Sequence, residues 1–496
     1  MEKLLPRPEQ VRVRPPRAAA SRSQQPFTVV APVLRSALLL GAAGGFVLAS
    51  VLSLSLAFRV SLGPWWSALA QAHGHLQVYG WAGLFVLGVA LHFLPRLRGA
   101  PLAWPRAIPW LLSALVTALV LRGLSQPLLA IVGAESGWAW LWRLLLVASG
   151  VLELLAIGSV LVLLAGTALR RDGPALRARP ALWSVWPFLL CAVSSLVLAA
   201  IINLMNVVAA SYGGAALVPA AGDGANVLLG LFGFLVPMAL AMSARALPMY
   251  AGLEAFPRRV LWPAALTYCA GLVLALLGTA NNLAPGTALG RIGGLGVATM
   301  GGVLVVFIGF FVRLMAGRGQ LPQRVRSLAP APEQAARTYR KHVSSERATF
   351  GPYVPLIGSA YSWALVAGLL MLLDGVALAL GAGMPVTLDA PRHSLAVGFI
   401  ALLLAGVSTR MIPGFSGGRL ASPRWVVALL WLGNGAALLR VGSLLALPML
   451  AGGLGAAGIT LDSALFGLSG PLGLAFAVCL VINLWPALSP RSPVTT

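Results

Sequence analysis

Twelve apolar runs, each long enough to cross a bilayer as a helix of roughly 20 residues, succeed one another along the chain near 36–58, 73–96, 106–131, 142–169, 183–208, 226–249, 260–281, 291–316, 354–381, 391–413, 424–447 and 465–487. Short polar or basic segments separate them, and a Gly-rich stretch, 448–462, precedes the last. The pattern predicts an all-α integral membrane protein of twelve transmembrane helices. A disordered basic tail is expected over 1–35, the transmembrane domain over 36–487, a long cytoplasmic loop over 317–352 and a C-terminal tail over 488–496.

Three of the runs share a pattern. Aligned on Pro95, Pro248 and Pro413, the positions fifteen before are Gly80, Gly233 and Gly398, each followed by Trp or Phe. Three before stand His92, Arg245 and Arg410, and four after stand Gly99, Gly252 and Gly417. These coincidences divide the chain into three four-helix units, about 36–169, 183–316 and 354–487, in which spans 2, 6 and 10 are equivalent. Membrane proteins built from such repeats often place their sites between them.

Basic residues favour the cytoplasmic side during insertion. With the N-terminus inside, the tail, Arg96 to Arg106, Arg170 to Arg179, Arg258 and Arg259, the long loop, Arg410 to Arg424 and Arg491 all fall inside. Only Arg59, Arg122, Arg143, Arg291, Arg392 and Arg440 fall toward the other end, so both termini are expected to be cytoplasmic.

Composition agrees: 59% of residues are hydrophobic and 9% charged, where soluble domains carry about a quarter charged. The net charge of +23 is explained by anionic lipid at the cytoplasmic face, without nucleic acid. No cleavable signal pattern precedes the first span. Cys191, Cys269 and Cys479 all lie in apolar spans and are read as small hydrophobic residues. The chain contains neither a Cys-x-x-Cys-His haem attachment motif nor a P-loop lysine motif, which argues against c-type haem and an ATP-driven pump.

The candidate chemistry lies with the histidines. His73, His75 and His92 belong to span 2 and His393 to span 10, while His342 sits in the hydrophilic loop. His75 and His393 both lie twenty residues before their prolines, and Leu228 takes that place in span 6. Two imidazoles from different helices can clamp a haem iron; two interfacial histidines bonded to water or lipid give the same sequence. Gly80 and Gly398 would admit a flat ring near the backbone, or simply let helices pack. In a helix His73 points about 200° away from His75, toward the outer water or a second metal site. His92, equivalent to Arg245 and Arg410, is expected to anchor the inner membrane surface. Glu153 and Asp374 are acids within apolar spans, each suited to a proton path or to a neutral hydrogen bond. Arg392, beside His393, is the first choice for a haem propionate.

The segments His73-x-His75-x-Gln77-x-x-Gly80-Trp81 and His92-Phe93-Leu94-Pro95-Arg96, with Arg392-His393 through Phe399 and Arg410 through Gly417, resemble the NnrS family. Its members are bacterial polytopic membrane proteins associated with haem and copper and linked to nitric oxide metabolism. The scaffold more distantly resembles the catalytic subunit of haem-copper oxidases and nitric oxide reductases. The resemblance implies a b-type haem in the bacterial cytoplasmic membrane, held between spans 2 and 10 near the extracytoplasmic face, with an electron donor or a small diatomic ligand as partner. Spans 6 and 7 contain no histidine and span 10 only one, too few for a copper centre of the oxidase kind. Electron transfer or slow ligand chemistry is therefore expected in preference to fast oxygen reduction. A transporter or sensor on the same scaffold is the alternative.

Overall fold

The computed structural model describes residues 27–133, 135–170, 180–250, 256–316 and 331–489. Most of the expected N-terminal tail, the beginning of the 317–352 loop, Gly252 and the C-terminal tail beyond Ser489 lie outside the described residues. Among the described residues there is no strand, and twelve helices are long and apolar enough to cross a membrane. The protein is an all-α polytopic membrane protein.

The spanning helices are α1 (Ala31–Ala57), α2 (Pro64–Arg98), α3 (Pro105–Val132), α4 (Ala139–Ala168), α5 (Trp186–Tyr212) and α6 (Ala220–Pro248). They continue as α7 (Arg258–Thr279), α8 (Ala288–Ala316), α9 (Tyr353–Ala379), α10 (Asp389–Ser416), α11 (Arg424–Ala446) and α12 (Gly452–Leu488). Most boundaries fall within a few residues of the apolar runs, because the length of a run is itself the membrane requirement. Three differ instructively. The Gly-rich stretch largely belongs to α12, broken only where Gly455 adopts φ 54°. Pro64, Trp65 and Trp66 form the first turn of α2 rather than a loop, so His73 and His75 lie two to three turns inside it. Residues 332–350, expected as loop, form a polar surface helix, Pro332–Phe350. Glu346 fixes that helix, accepting hydrogen bonds from Arg410 Nε at 3.0 Å and Tyr353 Oη at 2.8 Å.

Helices α2, α6 and α10 are the innermost: 72% of an 18-residue apolar stretch in each is buried, against 28–50% for the other nine. Around them run the outer helices, with contacts from α3 to α4, α4 to α5, α7 to α8, α8 to α9 and α12 to α1. The repeat extends to the backbone. Each inner helix widens into a π-helical segment at the same height, Leu76–Gly83, Leu228–Leu235 and Ser394–Ala401, and α6 meets both α2 and α10 through these segments. The repeated glycine four residues after the proline has a local cause. Gly99 and Gly417 end α2 and α10 at φ 69° and 66°, left-handed conformations that an L side chain rarely adopts.

One end of the bundle carries Arg96, Arg98, Arg170, Arg258, Arg259 and Arg410, and the other carries His73, His75 and His393. These are the arginine-rich end and the histidine end of the bundle.

Candidate functional site

Between the inner helices and the outer ring lie three gaps: α2 to α6, α6 to α10, and α10 through α12 and α1 back to α2. His75 faces the first. Its Nε2 lies 2.8 Å from Glu153 Oε2 on α4, and that carboxylate also accepts a hydrogen bond from Asn203 Nδ2 on α5 at 3.0 Å. All three side chains are buried. The contact joins three helices and answers what an acid does in the middle of an apolar span: Glu153 is held by hydrogen bonds, as a membrane interior requires. Beside it a cavity of about 40 Å³ is lined by Gln71, Arg122, Asn206, Asp223 and Asn226 among others, room for about three waters. Arg122 is buried there within electrostatic range of Glu153 and Asp223. Tyr79 donates to the Asn226 backbone oxygen at 3.1 Å and closes the cavity from below.

His75 and His393 therefore do not face one another, contrary to what their matching register suggests. The reason is the repeat itself: equivalent positions on three helices arranged around an axis point into three successive gaps. His75 lines the first, Leu228 the second and His393 the third. Because His73 precedes His75 by two residues, it turns to the opposite side of α2, which borders that third gap.

There His73 and His393 share one electrostatic neighbourhood with Asp389 and Arg440. His73 Nδ1 lies 2.8 Å from the Gly45 carbonyl oxygen on α1, and His393 Nδ1 lies 2.9 Å from the Asp389 carbonyl oxygen. Nδ1 is thus the donor in both rings, which leaves the Nε2 lone pair of each for another partner. Arg440 on α11 donates to Asp389 Oδ2 at 2.8 Å and lies over the Phe466 ring at 4.0 Å. One turn below His73, on the same side of α2, Gln77 Oε1 is buried without a hydrogen-bond partner.

The remaining candidates are dispersed. Arg392 points into the second gap, where it lines a small cavity with Asp374 and Thr279, so it is Arg440 that lies on the His393 side. Asp374 is fully buried, but it serves the loop after α9, accepting the Val386 N–H at 3.0 Å. Gly398 faces α9, where a Cβ would lie 2.5 Å from the Trp363 side chain; it is a packing glycine. Gly80 keeps more room, its nearest neighbours being Leu76, Leu119 and Leu40 at 3.6–3.8 Å. His92 is not at the surface. It is buried and stacked on Phe415 at 4.1 Å, with Phe27 edge-on at 5.7 Å. The three cysteines form no disulfide. Among the described residues, no group of three or more His, Cys, Asp or Glu side chains is gathered as a metal site.

No protein-family model matches the chain, and no curated protein is similar to it.

The polar residues around His75 escaped the reading by motif. Their signal was present in the spacing: Gln71, His75 and Tyr79, and likewise Arg122 and Gln126, recur every four residues, each set making one polar stripe along an otherwise apolar helix.

Proposed function

We propose that this is a membrane b-type haem protein of the NnrS kind, serving nitric oxide-related or respiratory redox chemistry, in which His73 and His393 would hold the iron. The observation that carries this reading is the matched state of the two rings: both give Nδ1 to a backbone carbonyl and keep Nε2 available, from helices that flank one gap. Metal-ligating histidines are oriented and made more basic by such an outer hydrogen bond. His75 is otherwise engaged, its Nε2 already on Glu153.

A haem bound there would supply reversible one-electron transfer. The protein's own part is to fix both rings, with Gly45 and Asp389 as orienting acceptors, and to place the Arg440 guanidinium beside them as the counter-charge for a carboxylate. The arginine-rich end is the cytoplasmic face in this reading, which sets the site toward the other side of a bacterial cytoplasmic membrane.

The reduced-minus-oxidised spectrum of purified protein from haem-replete cells is the test. A six-coordinate low-spin signature is expected, lost in His73→Ala and in His393→Ala and retained in His75→Ala. A colourless protein would sink the haem reading. A normal low-spin spectrum in both single variants would move the ligands elsewhere.

A further inference from the structure

The three seams where successive units join, α4 with α5, α8 with α9 and α12 with α1, occupy equivalent places in the ring. Two of them are closed from end to end. Along α8 and α9, a Cβ at Gly294 would lie 2.8 Å from the Gly375 carbonyl and one at Gly301 2.7 Å from the Gly368 carbonyl; toward the arginine-rich end, Phe311 stacks on Tyr361 at 3.6 Å. Along α12 and α1, Gly467, Gly470 and Gly473 abut Ala57, Ser53 and Phe46, and Arg35 donates to the Leu488 carbonyl at the far end.

The seam between α4 and α5 closes only over its histidine-end half. There a Cβ at Gly150 would lie 2.7 Å from Val207. Beyond it the helices part around a cavity of about 400 Å³, walled by α2, α4, α5 and α6 and reaching α9 and α10. Its lining is apolar apart from Ser243, Arg410 and the polar tips of Trp186 and Tyr353. Ala165, Leu169, Leu190 and Val193 line it and are exposed on the side that faces lipid.

We propose that this cavity binds one acyl chain of an anionic phospholipid, which enters from the bilayer between α4 and α5 with its headgroup at the arginine-rich mouth. A space of this size falls within the range of ligand pockets, about 300–1,000 Å³. Its walls offer almost nothing to water, which needs two to four polar partners. The opening lies toward hydrocarbon, so a chain reaches it without crossing water. At the polar end of the opening, Arg170 directly follows the lining residue Leu169. Arg98 is held beside it by bonds to the Ala168 carbonyl, at 2.7 Å, and to the Arg170 carbonyl. Their summed positive charge complements a phosphate, as basic groups do at an anionic leaflet.

The full-length protein in nanodiscs of phosphatidylglycerol carrying a diazirine on the acyl chain tests this. Photolysis should label Met238 and Met242, which line the cavity, as well as lipid-exposed Leu155. Ala165→Trp at the mouth and Ala239→Phe within should each remove the first labels and leave the second. Because Ala165 is exposed, its variant leaves the packed core alone. Discs of diazirine phosphatidylcholine should give weaker labelling at the two methionines. Unlabelled methionines in the unmodified protein, or labelling that survives both variants, would overturn the site. Equal labelling from the two lipids would overturn the assignment of the headgroup.

Discussion

Replacing Glu153 by Ala removes the acceptor for both His75 Nε2, at 2.8 Å, and Asn203 Nδ2, at 3.0 Å. Both partners stay buried, at 5% and 2% exposure, so neither finds water instead. An unsatisfied buried polar group costs about 1–3 kcal/mol. Interhelical hydrogen bonds measured within membranes average lower, about 0.6 kcal/mol with a maximum near 1.7, because the unfolded chain in lipid also finds partners. Two such losses, with the small cavity left by the side chain, give about 2–4 kcal/mol for Glu153→Ala. Both partners meet the same oxygen, Oε2, and Glu153→Gln keeps an amide oxygen that can accept from both in its place, so it should cost under about 1.5 kcal/mol. Reversible unfolding in mixed micelles with rising denaturing-detergent fraction, followed by tryptophan fluorescence, measures both. The His75→Ala, Glu153→Ala double-mutant cycle should show coupling of about 1 kcal/mol or more. An alanine variant as stable as the exposed control Leu155→Ala would refute the claim that this contact ties α2, α4 and α5 together. A glutamine variant as damaged as alanine would show that charge, not hydrogen bonding, carries the interaction.

Gly301→Leu should prevent assembly of the α8–α9 seam, since its Cβ would meet the Gly368 carbonyl at 2.7 Å and the Leu372 nitrogen at 2.9 Å, backbone atoms that cannot rotate aside; Gly309→Leu, with nothing within 4 Å, should assemble normally. Size-exclusion chromatography of the solubilised proteins distinguishes the two, and a monodisperse Gly301 variant would refute close packing there. Glu346→Ala should free the surface helix Pro332–Phe350 by removing the acceptor for Arg410 and Tyr353. Trypsin cleavage at Arg337, Arg340 and Arg347 should then accelerate, and an unchanged digestion pattern would count against the anchor.

Helix number and position were legible because a bilayer imposes a length on every apolar run, and chain order alone then separates neighbours. The three-fold repeat was legible too, through glycines and prolines whose backbone roles leave few substitutes; Gly99 and Gly417 stand where a left-handed residue ends a helix. Facing was harder. Equal register at His75 and His393 reads as opposition on two helices considered as a pair, yet on three helices around an axis it means rotation into different gaps. The relation of His73 to His393 needed the ring of helices, not the alignment. The hydrogen bond from His75 to Glu153 joins residues 78 apart in the chain, and no local pattern encodes such a meeting. His92 shows the reverse error: its repeat partners are arginines, but the neighbouring Phe27, Phe93 and Phe415 make an aromatic enclosure for it.

The π-helical segment of α2, Leu76–Gly83, stands directly after the two histidines. Such a widened turn holds one residue more than an α-helix spanning the same distance, so the extra residue is absorbed without turning one half of the helix far against the other. Removing a single residue from it would let α2 close into regular α-helix with both halves near their present facing, whereas removing one from the regular helix between Leu84 and Pro95 would swing everything on the histidine side by about 100° relative to Pro95. In the second case His73 would leave the gap it shares with His393, and His75 would leave Glu153. The aim of both imidazoles thus tolerates the loss of one residue in the widened turn and of none in the regular helix beyond it.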